Sequence, residues 1–187
     1  MDKKKVLEDL KSILLEEQIN TNYDDLYDAS ADRYKKYAKA KKVLDVPMPT
    51  AIVFPKSVDE IKSLLMYCNK NNINVIPRSG KTSTEGGLEN WKELTLVIDG
   101  KNLNKIIKID GYNMQATVQA GVPLQVIEDK LRKVGYTTGH SPQSKPVAQY
   151  GGLVATRSIG QFSTLYGGIE DMVVGQIGRA SCRERVF

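Results

Sequence analysis

Aromatic side chains are scarce in this chain, at 7% of its 187 residues, and it has a single Trp, a single His and two Cys. Each shortage excludes something. Two cysteines, Cys68 and Cys182, cannot make a disulfide framework, and no ligand-type residues cluster with them to hold a metal. The net charge of +5 invites a nucleic-acid reading, but the lysines lie scattered among acids. They do not form a basic stripe with interleaved aromatics, so nucleic acid is not expected as a partner. Long hydrophobic runs are missing too, so no segment is long and apolar enough for a transmembrane helix. The opening MDKKKVLEDLKSILLEE sets Val6, Leu7, Leu10, Ile13 and Leu14 on one face of an amphipathic helix among charges of both signs. A secretory signal needs an uninterrupted apolar core, so a cytoplasmic protein is the default expectation. What is present, 41% hydrophobic and 26% charged residues, is the composition of one globular domain with a short appendage.

Gln176 to Phe187, QIGRASCRERVF, breaks a pattern that otherwise heads into a strand after Asp171-Met172-Val173-Val174-Gly175. The string resembles the translation of a sequencing adapter and is read as read-through at the end of a truncated gene fragment. A short basic C-terminal helix is the alternative. Without Arg179, Arg183, Arg185 and Glu184, 24 basic residues face 21 acidic ones and the net charge falls to +3.

Residues 1–45 read as a polar, helical lead-in ending at Pro47-Met48-Pro49. Ala51-Ile52-Val53-Phe54 is a short apolar run between prolines, suited to a buried strand. Ser57-Val58-Asp59-Glu60 matches a capping box, in which Ser57 caps the backbone and Glu60 reaches back to it. Ile61, Leu64, Leu65 and Cys68 then recur at helical spacing, which makes Cys68 a small buried hydrophobe and not a nucleophile. Ile73 to Ile76 is the next strand and completes a β-α-β unit. Strands follow over Leu94–Ile98, Ile106–Ile109 and Met114–Val118. A helix opens at Pro123, carries Leu124, Ile127 and Leu131, and stops at Gly135. His140 to Gly175 is rich in Gly, Ser and Thr with little periodicity, and a long irregular segment in a compact domain usually holds something.

The second strand of the β-α-β unit runs into PRSGKTSTEGG, Pro77 to Gly87. Successive backbone N–H groups in such a turn form a nest for an anion, and small side chains let a phosphate approach. An ordinary solvent loop is the other reading. Gly80-Lys81-Thr82 looks like the end of a Walker A loop, but the first glycine would fall at Val75, so the spacing fails. No GxGxxG follows a strand, so a Rossmann site is not supported. His140 is either a hydrogen-bond donor or attachment point for a bound group, or a loop histidine with a structural contact, and the second reading is preferred. Arg157 either pairs with phosphate or caps a neighbouring helix or carboxylate. Glu170 and Asp171 are too close together for an acid/base pair, and Asp171 is read as stabilising a turn.

Several of these segments together carry a resemblance over residues 46–175. PTAIVFPKSVDEI, His140-Ser141-Pro142-Gln143-Ser144, Gly151-Gly152, Ala155-Thr156-Arg157-Ser158-Ile159-Gly160 and Tyr166-Gly167-Gly168-Ile169-Glu170-Asp171-Met172-Val173 stand in one order. They resemble the FAD domain of the glycolate oxidase/D-lactate dehydrogenase group and of alkyldihydroxyacetonephosphate synthases. Both belong to the p-cresol methylhydroxylase/vanillyl-alcohol oxidase superfamily, here called PCMH-type. The family's first pyrophosphate loop maps onto Pro77, Arg78, Ser79, Gly80, Lys81, Thr82 and Ser83. Its second flavin segment maps onto Gln143 to Gln149, with Pro142 and Ser144, followed by Gly151 and Gly152. Its Thr-Arg-Ser step maps onto Thr156, Arg157 and Ser158, and its Gly-x-x-Asp-x-Val ending onto Gly168, Asp171 and Val173. Ser79 and Lys81 stand where the family usually has glycine, and a side chain in the left-handed region costs about 1 kcal/mol. Gln143 stands where the family often has Asp.

The resemblance implies an α+β, PCMH-type FAD-binding domain of two α/β subdomains, a small β-α-β part and a larger part with a mixed sheet, here incomplete. FAD would lie between them as the cofactor, and no metal is implied. The intact enzyme would oxidise a small 2-hydroxy acid such as lactate or glycolate, passing a hydride to the flavin and its electrons to an acceptor partner. The base and the carboxylate-binding groups would lie in a C-terminal domain, so no catalytic residue is assigned. Two alternatives stand beside this: a synthase-like, net non-redox use of FAD on a glycerone phosphate, and a stand-alone FAD module for electron transfer.

Overall fold

A computed structural model describes residues 2–33, 36–42 and 44–177. The chain runs through α1 (Lys3–Leu10), β1 (Ile19–Asn20), α2 (Tyr23–Ala29), α3 (Lys36–Ala40), β2 (Ala51–Val53), α4 (Val58–Lys70), β3 (Asn74–Arg78) and β4 (Thr95–Asp99). It continues through β5 (Ile106–Asp110), β6 (Gln115–Val118), α5 (Leu124–Arg132), α6 (Tyr150–Ala155), α7 (Ser163–Tyr166) and α8 (Ile169–Met172). The result is an α+β chain, as expected, with its buried apolar residues gathered on the two faces of one sheet and around α5.

The first core is built on a sheet of order β1-β2-β4-β3, in which β2, β3 and β4 run parallel and β1 is antiparallel to β2. β3 is therefore not the neighbour of β2, because β4 enters between them. Alternation along the strands divides the burial. Ala51, Val53, Leu96 and Ile98 face a cluster with Val6 and Leu10 of α1 and Leu64 and Cys68 of α4. Ile52, Phe54, Ile76 and Val97 face the other way, against Ala29 of α2. Parallel strands covered on both faces need this continuous apolar run, and every residue of β4 is buried. Pro77 is tolerated because β3 lies at the sheet edge.

The lead-in differs from the expected polar helix. It breaks into short helices with β1 between them, and Val6, Leu10 and Leu14 are built into the sheet core. Buried Gln18 donates to the Phe54 carbonyl at 3.0 Å and to Glu60 Oε2 at 2.8 Å. The cap of α4 also differs in one half. Ser57 Oγ accepts from the Glu60 N–H at 3.1 Å as expected, but Glu60 accepts from the N–H of Lys56, at 2.7 Å, and not from that of Ser57. Gln18 and the Lys56 N–H share the same oxygen of that carboxylate, Oε2.

The second core gathers Val122, Leu124, Ile127 and Leu131 around α5 with Ala148, Leu153 and Ile169. Ile106, Val118 and Val173 pack against it. Pro123 precedes α5 and Gly135, at φ +83°, follows it. Among the described residues this half carries only the antiparallel β5–β6 hairpin and not a mixed sheet; the mixed sheet belongs to the first half. The stretch read as irregular contains α6, α7 and α8, each of six residues or fewer and so too short to display a period. α8 ends at Met172 and Val173–Ile177 has no regular structure; most of the stretch after Gly175, where a strand was expected, lies outside the described residues. Residues 178–187 of the adapter-like string lie outside the described residues.

The halves meet at glycines. A Cβ on Gly121 would lie 1.9 Å from the Gly100 carbonyl oxygen, so this position tolerates no side chain.

Candidate functional site

The first loop leaves the end of β3. Pro77 is exposed and Arg78 is buried, its Nε donating to Asp99 Oδ2 at 2.8 Å. Asp99 in turn accepts from the Lys101 N–H at 3.0 Å. Arg78 was assigned to the cofactor by its position in the loop; its side chain is instead turned inward and ties the ends of β3 and β4 together. Lys81 is in the left-handed region at φ +57°, the conformation expected where relatives carry glycine. Its side chain is exposed. Among the described residues, the backbone N–H groups of Gly80, Lys81, Thr82 and Ser83 make no hydrogen bond, and neither do the hydroxyls of Thr82 and Ser83. A run of unengaged donors beside a left-handed residue has the make-up of an anion nest.

The second segment packs on this loop. A Cβ on Gly80 would lie 2.3 Å from the Val147 carbonyl oxygen, 2.8 Å from Ala148 Cα and 3.1 Å from Gln149 N. A Cβ on Gly152 would lie 2.4 Å from Ser79 Oγ. Ser79 and Gly80 are thus seated against Val147–Gly152, and the lack of side chains is what permits it. Ser144 begins a turn by accepting from the N–H groups of Val147 and Ala148, at 3.0 and 2.8 Å. The segment is stitched to α5, since Leu124 N–H donates to the Ala148 carbonyl at 2.9 Å. Gly151 lies against Ala120, whose carbonyl accepts from its N–H at 2.7 Å.

Farther along, the site opens into a cleft of about 490 Å³ lined by Ser141, Pro142, Gln143, Ile159, Gly160 and Gln161. Gly160 is pressed on the Ser141–Pro142 backbone, where a Cβ would come within 2.7 Å. His140 is buried, with Nε2 3.1 Å from Ser158 Oγ. Burial lowers its pKa from the ordinary histidine value, against the opposing charge of Glu170, so the ring is neutral near pH 7. Among the described residues its Nδ1 has no hydrogen-bond partner, and neither has buried Oε1 of Gln149. Unsatisfied buried polar atoms are rare enough in native proteins to mark a site.

The remaining assigned residues divide. Ser158 joins the site through His140, and its carbonyl accepts from the Ile169 N–H at 3.1 Å, which brings α8 alongside. The Thr156 hydroxyl is engaged with the Gly152 carbonyl at 2.8 Å and ends α6. Arg157 is exposed at φ +49° and makes no ion pair among the described residues. Asp171 accepts from the Gly168 N–H at 2.9 Å and stabilises the turn into α8, as read from the sequence. Val173 packs in the second core. One residue was missed altogether: Glu128 on α5, buried, which accepts from the Thr138 N–H at 3.0 Å and from the hydroxyls of Thr137 and Thr138 at 2.7 and 2.9 Å. A glutamate on the apolar stripe of α5 was its only signal.

A larger hollow of about 650 Å³ lies beside β1, lined by residues including Glu17, Phe54, Lys56 and Lys101. It contains none of the assigned residues; in it Lys56 pairs with Glu17 at 2.6 Å, and Lys101 sits 3.7 Å over the Phe54 ring.

Two facing small-residue loops between two α/β lobes define a nucleotide-cofactor domain. The chain belongs to the FAD binding domain family, whose model matches residues 49–176. It is 52% identical over 170 residues to the uncharacterized FAD-linked oxidoreductase YgcU of Escherichia coli K12, covering 91% of this chain and 35% of that one. It is 33% identical over 175 residues to the mitochondrial D-lactate dehydrogenase [cytochrome] 1 of Saccharomyces cerevisiae, covering 91% and 29%. A solved alkyldihydroxyacetonephosphate synthase superposes with TM-score 0.84 at 28% identity, over 94% of this chain and 33% of that one. p-Cresol methylhydroxylase shares the fold, with TM-score 0.65 at 18% identity over 84% and 30%. The expected PCMH-type fold is therefore the observed one, and FAD is the cofactor of the family. The chain spans about a third of the length of these relatives. The residues present fit the cofactor: a nest of free donors for a pyrophosphate, and two buried polar atoms for hydrogen-bonding groups. No helix among the described residues is long and apolar enough to cross a membrane.

Proposed function

We infer that residues 46–175 are the FAD-holding part of a flavin-dependent oxidoreductase that acts on a small 2-hydroxy acid of the lactate or glycolate type. The observation that carries the cofactor assignment is the row of unengaged N–H groups from Gly80 to Ser83, seated by Gly80 on Val147–Gln149. In this reading the backbone donors, with the hydroxyls of Thr82 and Ser83, receive the pyrophosphate. His140 Nδ1 and Gln149 Oε1 meet polar groups of the cofactor farther in, with Pro142, Gln143, Ser144, Gly151, Gly152, Thr156, Arg157 and Ser158 shaping the wall between. Arg157, held outward without a carboxylate partner, supplies positive charge. FAD when bound supplies the two-electron acceptor, while the protein orients it and sets its electrostatics. The hydroxy-acid assignment is favoured by the D-lactate dehydrogenase relative. Its catalytic base and its acceptor partner are assigned to polypeptide beyond this chain.

Titrating FAD into the chain and following quenching of flavin fluorescence tests the cofactor assignment. Saturable binding with one FAD per chain is expected, and no quenching overturns it. Anaerobic mixing of the longer protein with D-lactate and with glycolate tests the substrate class. Loss of the oxidised flavin absorption is expected with at least one of them. The solved synthase, with its TM-score of 0.84, favours a second reading, FAD used without net redox change on a glycerone phosphate. Flavin that stays oxidised with every 2-hydroxy acid, while an acyl-glycerone phosphate is turned over, would select it.

A further inference from the structure

Glu128 has a place in this molecule that the cofactor contacts do not account for. Its side chain is 1% exposed on the inner face of α5. One oxygen accepts from Arg132 Nε at 2.9 Å and from the Thr137 hydroxyl at 2.7 Å. The other accepts from the N–H and the hydroxyl of Thr138, at 3.0 and 2.9 Å. Lys145 Nζ, mostly buried, lies 3.6 Å away. Tyr150, at the start of α6, has its phenol pKa raised by burial and, secondarily, by this charge. The groups in contact with the carboxylate lie before and within the flavin segment. Thr137 and Thr138 lead through Gly139, at φ +70°, into His140. Lys145 sits in the middle of the turn that seats against Gly80, and Tyr150 follows its end.

We propose that Glu128 is the positioning residue of the flavin segment, a single carboxylate that ties Thr137, Thr138 and Lys145 to α5 and so sets where His140 and Ser144 stand. The proposal rests on the cofactor reading above for its purpose, but not for its geometry. A neutral glutamine cannot replace the carboxylate. It has one accepting oxygen, and whichever way the amide is turned its NH₂ confronts either the Thr138 N–H or the Arg132 Nε–H. It also leaves Lys145 without its counter-charge.

The test is hydrogen exchange on the chain without cofactor, comparing wild type with Glu128→Gln, and with Lys145→Met as a milder second variant. Glu128→Gln is expected to speed exchange about tenfold at amides 137–149, the Thr138 amide above all, while β2, β3 and β4 keep their protection. Lys145→Met should loosen only the later part of the segment. Unchanged exchange in residues 137–149 overturns the proposal. A uniform rise through both halves of the molecule also overturns it, by making Glu128 a general stabiliser. FAD titration of the same samples separates the two readings. If wild type binds FAD, Glu128→Gln should bind about tenfold more weakly, and equal binding counts against the proposal. If wild type does not bind, the cofactor reading fails, and the exchange result still decides the role of Glu128.

Discussion

Gly80 lies so close to Val147 that a Cβ placed on it would stand 2.3 Å from the carbonyl oxygen, with backbone atoms of Ala148 and Gln149 behind. Nothing there can yield except the chain itself. Gly80→Ala is therefore expected to push the first loop off the second segment and to weaken FAD binding by about tenfold or more, a loss of about 1.4 kcal/mol. Flavin fluorescence titration reads the effect. Gly135→Ala is the companion variant, because its Cβ would meet nothing within 4 Å. It should cost only the strain of a positive φ, about 1 kcal/mol, and leave FAD affinity alone.

Gly152 differs from Gly80 in what it would strike. Its added Cβ would meet Ser79 Oγ at 2.4 Å, while Ser79 Cβ stays at 3.7 Å. Gly152→Ala alone should weaken FAD binding, and adding Ser79→Ala should recover most of the loss. A double-mutant cycle by the same titration should give a coupling of about 0.5 kcal/mol or more. Simple additivity would show that the two loops do not bear on each other.

Arg78 and Asp99 are both nearly inaccessible, and each is the other's charge partner. Removing one side leaves a buried, uncompensated charge. Arg78→Met should cost about 3–5 kcal/mol in urea unfolding, and the Arg78→Met/Asp99→Leu pair distinctly less than Asp99→Leu alone.

Glu128 predicts a pH dependence. Burial alone would raise its pKa, but the hydrogen bonds from Thr138, Thr137 and Arg132 outweigh that and bring it from 4.5 down to about 2. A carboxyl with a depressed pKa in the folded state stabilises above its unfolded value and loses that contribution as the pH falls through the folded one. The contribution is therefore whole above about pH 5 and lost progressively from there toward pH 2, with a total of about 3 kcal/mol. Stability curves of wild type and Glu128→Gln should converge over that interval. Curves that stay parallel would mean the pKa is not depressed.

Much of this architecture can be read from residue order, and what escapes has physical reasons. α4 announces itself through Ser57 and a stripe of Leu64 and Cys68, and β4 through five residues that are all buried. β1 is too short, at two residues, to show alternation, and it exists only because β2 offers an edge to pair with. α6 to α8 are single-turn or near-single-turn helices held by tertiary contacts, which local propensity does not encode. At the site, glycines and the left-handed Lys81 were legible because they answer to local backbone geometry. Glu128 was not, since its partners Thr137, Thr138 and Lys145 are assembled by the loop that folds back over α5. The side-chain bond of Arg78 was not legible either, since its partner Asp99 lies 21 positions later.

The pairing of Ile19 and Asn20 with Val53 and Ile52 carries a practical consequence for the handling of this protein. Those two residues are a stopper on an open ladder. A polypeptide begun near residue 46, where the flavin-type pattern starts, would present the unpaired flank of β2 and bare Val53 and Leu64 where Val6 and Leu10 now sit. Such an edge recruits strands from neighbouring molecules. Shortened versions lacking the first twenty residues should therefore self-associate more readily than the chain that keeps its first helix and strand.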